Sequence, residues 1–356
     1  MKKIQITIIV LQILVLISSL FLSFLYPYIG IDDGYYLAIA RDLMMGESLY
    51  DDIKTIYGPL TFMLSLIGLC IWPSGGGFIV SMPYLICVLV ISVVGYNSIR
   101  RNLDMLNSLI VTLFVANSIL IFSGLCIRNE IPAVLCITLI YKLVVDNKQK
   151  IPYLKISSLV VIAFLFKQYA IYVLPVLVVY YLIIKAVKIS ILISFCSIFL
   201  ISIVLLAIYF TRNVELLDLL KQIGGYTEQV GKVYASKTKY FFSYGVLRNL
   251  IIVFSPLVPL LIFRSGVSRN TKLLLVLSIA ASVLPLLIRQ YDHYFIWGIP
   301  LIFIASFKSA VSSSVQIKCT LALIFICTMW HCRKVSLTAP NHVLMSKQQE
   351  AFVKRL

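Results

Sequence analysis

Residues 4 to 25 read IQITIIVLQILVLISSLFLSFL, an apolar run without a single charge that follows Lys2 and Lys3. A run of this length crosses a hydrocarbon core of about 30 Å as one helix. A cleaved signal peptide has a shorter apolar region and an A-x-A-like site, so the run is read as an uncleaved first span. The rest of the chain agrees with this beginning: 61% of its 356 residues are hydrophobic, 13% are charged, and the mean hydropathy is +1.00. A soluble domain carries roughly 25% charged residues. The sequence therefore predicts an all-α, polytopic transmembrane bundle.

The net charge of +17 raises nucleic acid as a partner, since basic chains neutralise phosphates. Its distribution argues against that. Lysine and arginine stand in short clusters between apolar runs, such as IRRN at 99 to 102 and DNKQK at 146 to 150, as in the cytoplasmic loops of multispanning proteins. With the N-terminus inside, spans fall at about 4-25, 78-98, 105-126, 131-146, 156-167, 169-185, 189-210, 246-263, 272-288, 294-308 and 316-331. That makes eleven crossings in one membrane domain, 1-332, followed by a short polar tail, 333-356. Two longer outer segments remain, 26-77 and 211-245.

Residues 58 to 72, GPLTFMLSLIGLCIW, are apolar but too short to span. Were they to cross, every later loop would invert and Arg100 and Arg101 would lie outside, so they are laid in the outer interface as a juxtamembrane helix. The short run 156-167 and its neighbour 169-185 are read as a helical hairpin with its tip at Lys167-Gln168. The eight cysteines lack C-x-x-C spacing and read as small core residues.

Ionisable groups at membrane depth are costly, so each is a candidate for function. The threading gathers them on the outer face: Asp32 and Asp33, Arg128 and Glu130 in CIRNEIP, Lys167 and Gln168 in FLFKQYA, and Arg289, Asp292 and His293 in IRQYDHYF. A carboxylate takes a proton from an attacking hydroxyl, and fixed cations hold a phosphate while charge grows on it. Together they suit transfer of a group from a lipid-linked phosphate. Structural readings stand beside each. Asp32-Asp33 can cap the helix GYYLAIARDLM, Arg128 and Glu130 can form a local ion pair, Lys167 can snorkel to headgroups, and His293 can be a satisfied core residue. Asp51-Asp52 read as solvated, and Tyr35, Tyr36, Tyr50 and Tyr57 as loop-positioning residues at the interface.

The order of these pieces, namely a first span, DDGYYLAIARDLMMGESLYDD, YGPL, RNE, LFKQYAIYVLPVL and YDHYFIWGIPLI, resembles the GT-C superfamily of membrane glycosyltransferases, which includes protein O-mannosyltransferases and lipid A aminoarabinose transferases. The resemblance covers about residues 1 to 310. It implies a GT-C-like fold with juxtamembrane helices in the first outer loop. It implies Asp32 as catalytic base with Asp33 assisting, and a polyprenyl-phosphate sugar as donor. By position, Arg128, Lys167, Arg289 and His293 are the donor-phosphate contacts, with Glu130, Tyr57, Gln168 and Asp292 in support.

The expected activity is inverting transfer of a sugar to a hydroxyl on a glycan, lipid or protein, at the outer face of a bacterial cytoplasmic membrane. No cofactor is required by the spacing; a divalent cation, Mg or Mn, suits Asp32 and Asp33 with a phosphate. The partners are thus the lipid-linked donor, the acceptor and membrane lipids, without nucleic acid. Two alternatives stand: a polysaccharide polymerase or ligase, and a flippase or transporter of lipid-linked sugars, which would show paired repeats or broken midplane helices.

Overall fold

The computed structural model describes residues 2–25, 31–55, 57–71, 77–101, 103–122, 130–146, 151–212, 215–223, 248, 251–252, 254–259, 269–288 and 314–353. Among them there is no strand. The one β feature is an isolated bridge between Leu49 and Ile53, and helices account for almost everything else. The α-helices are α1 Lys2–Leu25, α2 Ile31–Met44, α3 Met63–Ile71, α4 Gly77–Ile99, α5 Met105–Phe122, α6 Glu130–Asp146, α7 Tyr153–Phe166, α8 Val173–Ile183, α9 Val187–Thr211, α10 Leu216–Ile223, α11 Arg269–Ile288 and α12 Ser314–Val353. Short 3₁₀ turns stand at η1 Pro59–Thr61, η2 Gln168–Tyr172 and η3 Ser255–Leu257.

By length and composition, three described helices can cross a membrane: Lys2–Leu22, Ser81–Ile99 and Val187–Thr211. Met105–Ile121, Tyr153–Phe166 and Gln168–Ile183 are shorter apolar helices. Predicted span 294-308 lies outside the described residues, as does half of 246-263.

Side-chain contacts fix the direction in which the helices run. Gln5 donates to Asn107 Oδ1 at 2.9 Å, Asn117 donates to the carbonyl of Gln12 at 3.0 Å, and Gln12 donates to Thr328 Oγ1 at 3.3 Å. Leu22, Ile121 and Val335 meet further along. Numbers rise together on α1, α5 and α12, so these three run parallel. Helix α4 packs against α5, which follows it closely in the chain, and runs the other way. Consequently α1 ends and α4 begins at the same end of the bundle. The elements between them, α2, η1 and α3, lead from one to the other at that end.

Ser157 donates to the Ile193 carbonyl, Ser190 to that of Val178 in the middle of α8, and the Ala186 N–H to that of Tyr181, which brings the start of α7 and the second half of α8 to the start of α9. The chain thus goes up α7, turns at Lys167–Tyr172 and returns along α8. This is the helical hairpin the sequence suggests. At the far end of the bundle Arg101 pairs with Asp146 at 3.6 Å. Arg100, Lys185 and Lys188 share that end, as does the beginning of α1.

Helix α6 is apolar along most of its length and lies at the centre. Ile131, Val134, Ile137, Ile140 and Val144 are buried along its length, as expected of a helix without a polar face. Helix α9 is the opposite case, with Phe195, Ile198, Phe199 and Phe210 exposed. Helix α12 continues without a break through Val353, across the predicted boundary at 333.

Candidate active site

The site is built on the hairpin tip. Helix α7 stops at Phe166 because Lys167 leaves the helical region, at φ −152° and ψ 118°; its N–H still bonds the Ala163 carbonyl, and the chain resumes as η2. The Lys167 side chain does not snorkel. Its residue is 5% exposed, and Nζ lies 2.8 Å from Oε1 of Glu130. Glu130 is the first residue of α6 and 1% exposed. The partial positive charge of a helix N-terminus favours a carboxylate at that position, and Pro132 is tolerated in the first turn, where N–H groups lack intrahelical partners. Glu130 is therefore joined to a residue 37 positions on in sequence, rather than only to its own segment.

Above this pair sits Tyr57, its ring centroid 5.0 Å from Lys167 Nζ. A cation over an aromatic face is stabilised by the ring quadrupole. The YGPL motif makes this approach possible. A Cβ on Gly58 would collide with the Leu165 carbonyl, so only glycine lets the loop lie against the end of α7. Pro59 opens η1, and Thr61 donates to the Phe166 carbonyl at 2.7 Å.

Tyr57 belongs to an aromatic cluster. Its ring is 5.4 Å from Tyr36 at 81°, 6.0 Å from Tyr35 and 6.4 Å from Phe62 at 86°; edge-on pairs of this kind are favoured by the ring charge distribution. Tyr50, in the left-handed region at φ 74°, donates its hydroxyl to the Tyr57 carbonyl at 2.9 Å. Burial pushes the Tyr50 hydroxyl well above the ordinary tyrosine range, which keeps it a neutral donor. Tyr35 donates to Thr55 Oγ1 at 3.1 Å, and burial raises it as well. The segment after α9 joins here: Leu219 of α10 is fully buried in this cluster, Gln222 accepts from the Thr55 N–H at 3.3 Å, and Arg212 donates to Ser48 Oγ at 2.8 Å.

Asp32 and Asp33 are the second and third residues of α2, inside its first turn rather than ahead of it as a cap. They precede the buried Tyr36 by four and three residues, which by helical register sets them at the head of the stripe formed by Tyr36, Ile39 and Ala40. Asp52 accepts from the Ser48 N–H at 2.8 Å at an exposed turn, in keeping with the solvated reading of Asp51-Asp52.

The structure thus brings Tyr57, Glu130 and Lys167 into contact, with Gln168 next in the chain and α2 behind Tyr57. Arg128, Arg289, Asp292 and His293 lie outside the described residues. Asp32 and Asp33 are the pair whose chemistry suits a divalent cation; among the described residues no three His, Cys, Asp or Glu side chains group as metal ligands. Reading for charge missed Gly58 and Thr61. The signal for Gly58 was its place in YGPL, before the proline of a turn. Comparison with protein-family models, with curated proteins and with solved structures returns no match.

Proposed function

We propose that this chain is a membrane glycosyltransferase that moves a sugar from a polyprenyl-phosphate donor to a hydroxyl acceptor at the outer face of a cytoplasmic membrane. One observation carries the reading: segments far apart in sequence bring Tyr57, Lys167 and Glu130 together at the end of the bundle where α2 begins. The opposite end holds Lys2, Lys3, Arg100, Arg101, Lys185 and Lys188, which by the positive-inside rule is the cytoplasmic one. The full reading has eleven crossings and a GT-C-like arrangement.

In the proposed reaction Asp32 takes the proton of the acceptor hydroxyl. The oxygen attacks the anomeric carbon from the side opposite the phosphate, and the bond from that carbon to the phosphate oxygen breaks, with inversion. Polyprenyl phosphate leaves with the electron pair. Arg128, Arg289 and His293 stabilise its growing charge. Lys167 is already neutralised by Glu130, so its direct role in phosphate binding requires an exchange of one anion for another; while the pair stays closed, it holds Tyr57 and the hairpin tip in place. A divalent cation, if bound at Asp32 and Asp33, would supply charge to the same phosphate.

The test compares wild type with Asp32→Asn and Asp33→Asn in membrane vesicles given radiolabelled polyprenyl-phosphate sugars. General-base help is worth about two to four orders of magnitude, so transfer into an acceptor fraction is expected to fall by that much in the variant lacking the base, at unchanged protein level. Label that crosses the membrane with its linkage intact, equally in all three proteins, would favour a flippase instead.

A further inference from the structure

A second polar assembly lies away from the outer site, between the parallel helices α1, α5 and α12. Gln5, Gln12 and Ser19 recur on α1 at seven-residue spacing, and all three are buried. That period sets them on one face of the helix, which is the face turned to α5 and α12. Polar side chains between transmembrane helices hold them in register by hydrogen bonding. Gln5 does so through Asn107, which in turn bonds Asp104.

Around Gln12 the bonding is incomplete. Its Nε2 donates to Thr328 Oγ1 at 3.3 Å, and its carbonyl accepts from Asn117 Nδ2 at 3.0 Å. His331, one turn beyond Thr328, stacks on Phe114, one turn before Asn117, with ring centroids 5.5 Å apart and planes at 19°. Gln12, Asn117 and His331 therefore meet at a single crossing, and each is 0% exposed. Yet Gln12 Oε1, Asn117 Oδ1 and both ring nitrogens of His331 have no hydrogen-bond partner among the described residues.

In the structure these groups do not satisfy one another. Two amide oxygens and one imidazole nitrogen are acceptors, and a neutral imidazole offers a single N–H. Such groups stranded in a low-dielectric interior are strongly unfavourable, more so in a lipid environment. A water that gives its two O–H donors to two of these acceptors and accepts from the N–H makes three bonds, within the two to four polar partners an ordered water needs. We propose that the crossing of α1, α5 and α12 binds ordered water between His331, Gln12 and Asn117, as a built hydration site inside the bundle.

The test uses the full-length protein in lipid bilayers, labelled with ¹⁵N at its three histidines, 293, 331 and 342. Magnetisation transferred from water to the ring nitrogens is followed by solid-state NMR. His331→Phe identifies the signal by its loss. If that variant fails to fold, labelling tryptophan and histidine together identifies it instead, because Trp330–His331 is the one Trp-His step in the sequence. Transfer to His331 in the wild type, lost in Gln12→Leu/Asn117→Leu while the other two histidine signals persist, is expected. A His331 signal that receives nothing from water would overturn the proposal. So would transfer that survives the double substitution, since the water would then be held by other groups.

Discussion

The buried pair of Lys167 and Glu130 shows how one ionic contact can take two meanings. Removing one partner leaves an uncompensated charge in the interior, at a cost of about 3 to 5 kcal/mol, whereas replacing both with apolar residues of similar size is often neutral. Lys167→Met and Glu130→Gln alone are therefore expected to lower the melting temperature in detergent markedly, and Lys167→Met/Glu130→Leu to recover most of the loss. If the recovered double variant still transfers sugar, Lys167 serves position rather than phosphate binding. Gly58 makes a complementary prediction. Gly58→Ala drives a methyl group into the Leu165 carbonyl, so the YGPL turn must lift away from the hairpin. Activity is expected to fall at least tenfold with membrane insertion unchanged, a separation that fluorescence-detected size exclusion and a transfer assay read directly.

At the level of elements, the hairpin and the amphipathic α10 carry the argument. Lys167 and Gln168 interrupt an apolar run, and the polar pair marks the tip because a buried helix has no place to hide a lysine except against a carboxylate. Helix α10 presents Leu219 to the first outer loop and leaves Leu217 61% exposed. Leu219→Asp is thus expected to release α10 from the Tyr36, Tyr50 and Phe62 cluster, seen as faster proteolysis within 213–245; Leu217→Asp is expected to leave that rate unchanged. Equal effects of the two substitutions would mean that α10 is not held by this face. The hairpin was legible from a polar step between two short apolar runs. Burial of Leu219 was not, since LLDLLKQI offers several leucines and no rule of spacing says which of them finds a partner.

For the whole molecule, the parallel course of α1, α5 and α12 sets a parity. A parallel course requires an odd number of crossings between α1 and α12, and the proposed eleven-span threading puts nine there. The consequence is measurable in a background with the eight cysteines replaced. Cysteines introduced at Asp52 and Lys221 are expected to react with an impermeant reagent from outside the cell. Those at Arg101 and Lys185 are expected to react only after permeabilisation. Reaction of all four from one side would break the threading.

The sequence by itself determined the class of this protein, an apolar and mostly helical membrane chain, because burying charge in hydrocarbon is costly enough to dominate local preference; the assignment of its loops to two sides by Lys and Arg clusters belongs to the proposed threading. It also named Tyr57, Glu130 and Lys167, within a wider group that included Asp32, Asp33, Arg128, Gln168, Arg289, Asp292 and His293. Only the tertiary structure decided that the three touch, that Asp32 and Asp33 begin α2 instead of capping it, and that Gln12, Asn117 and His331 share one crossing. Periodicity tells which face of a helix is turned inward; the neighbour that face meets depends on how distant segments pack, and no local pattern encodes that partner.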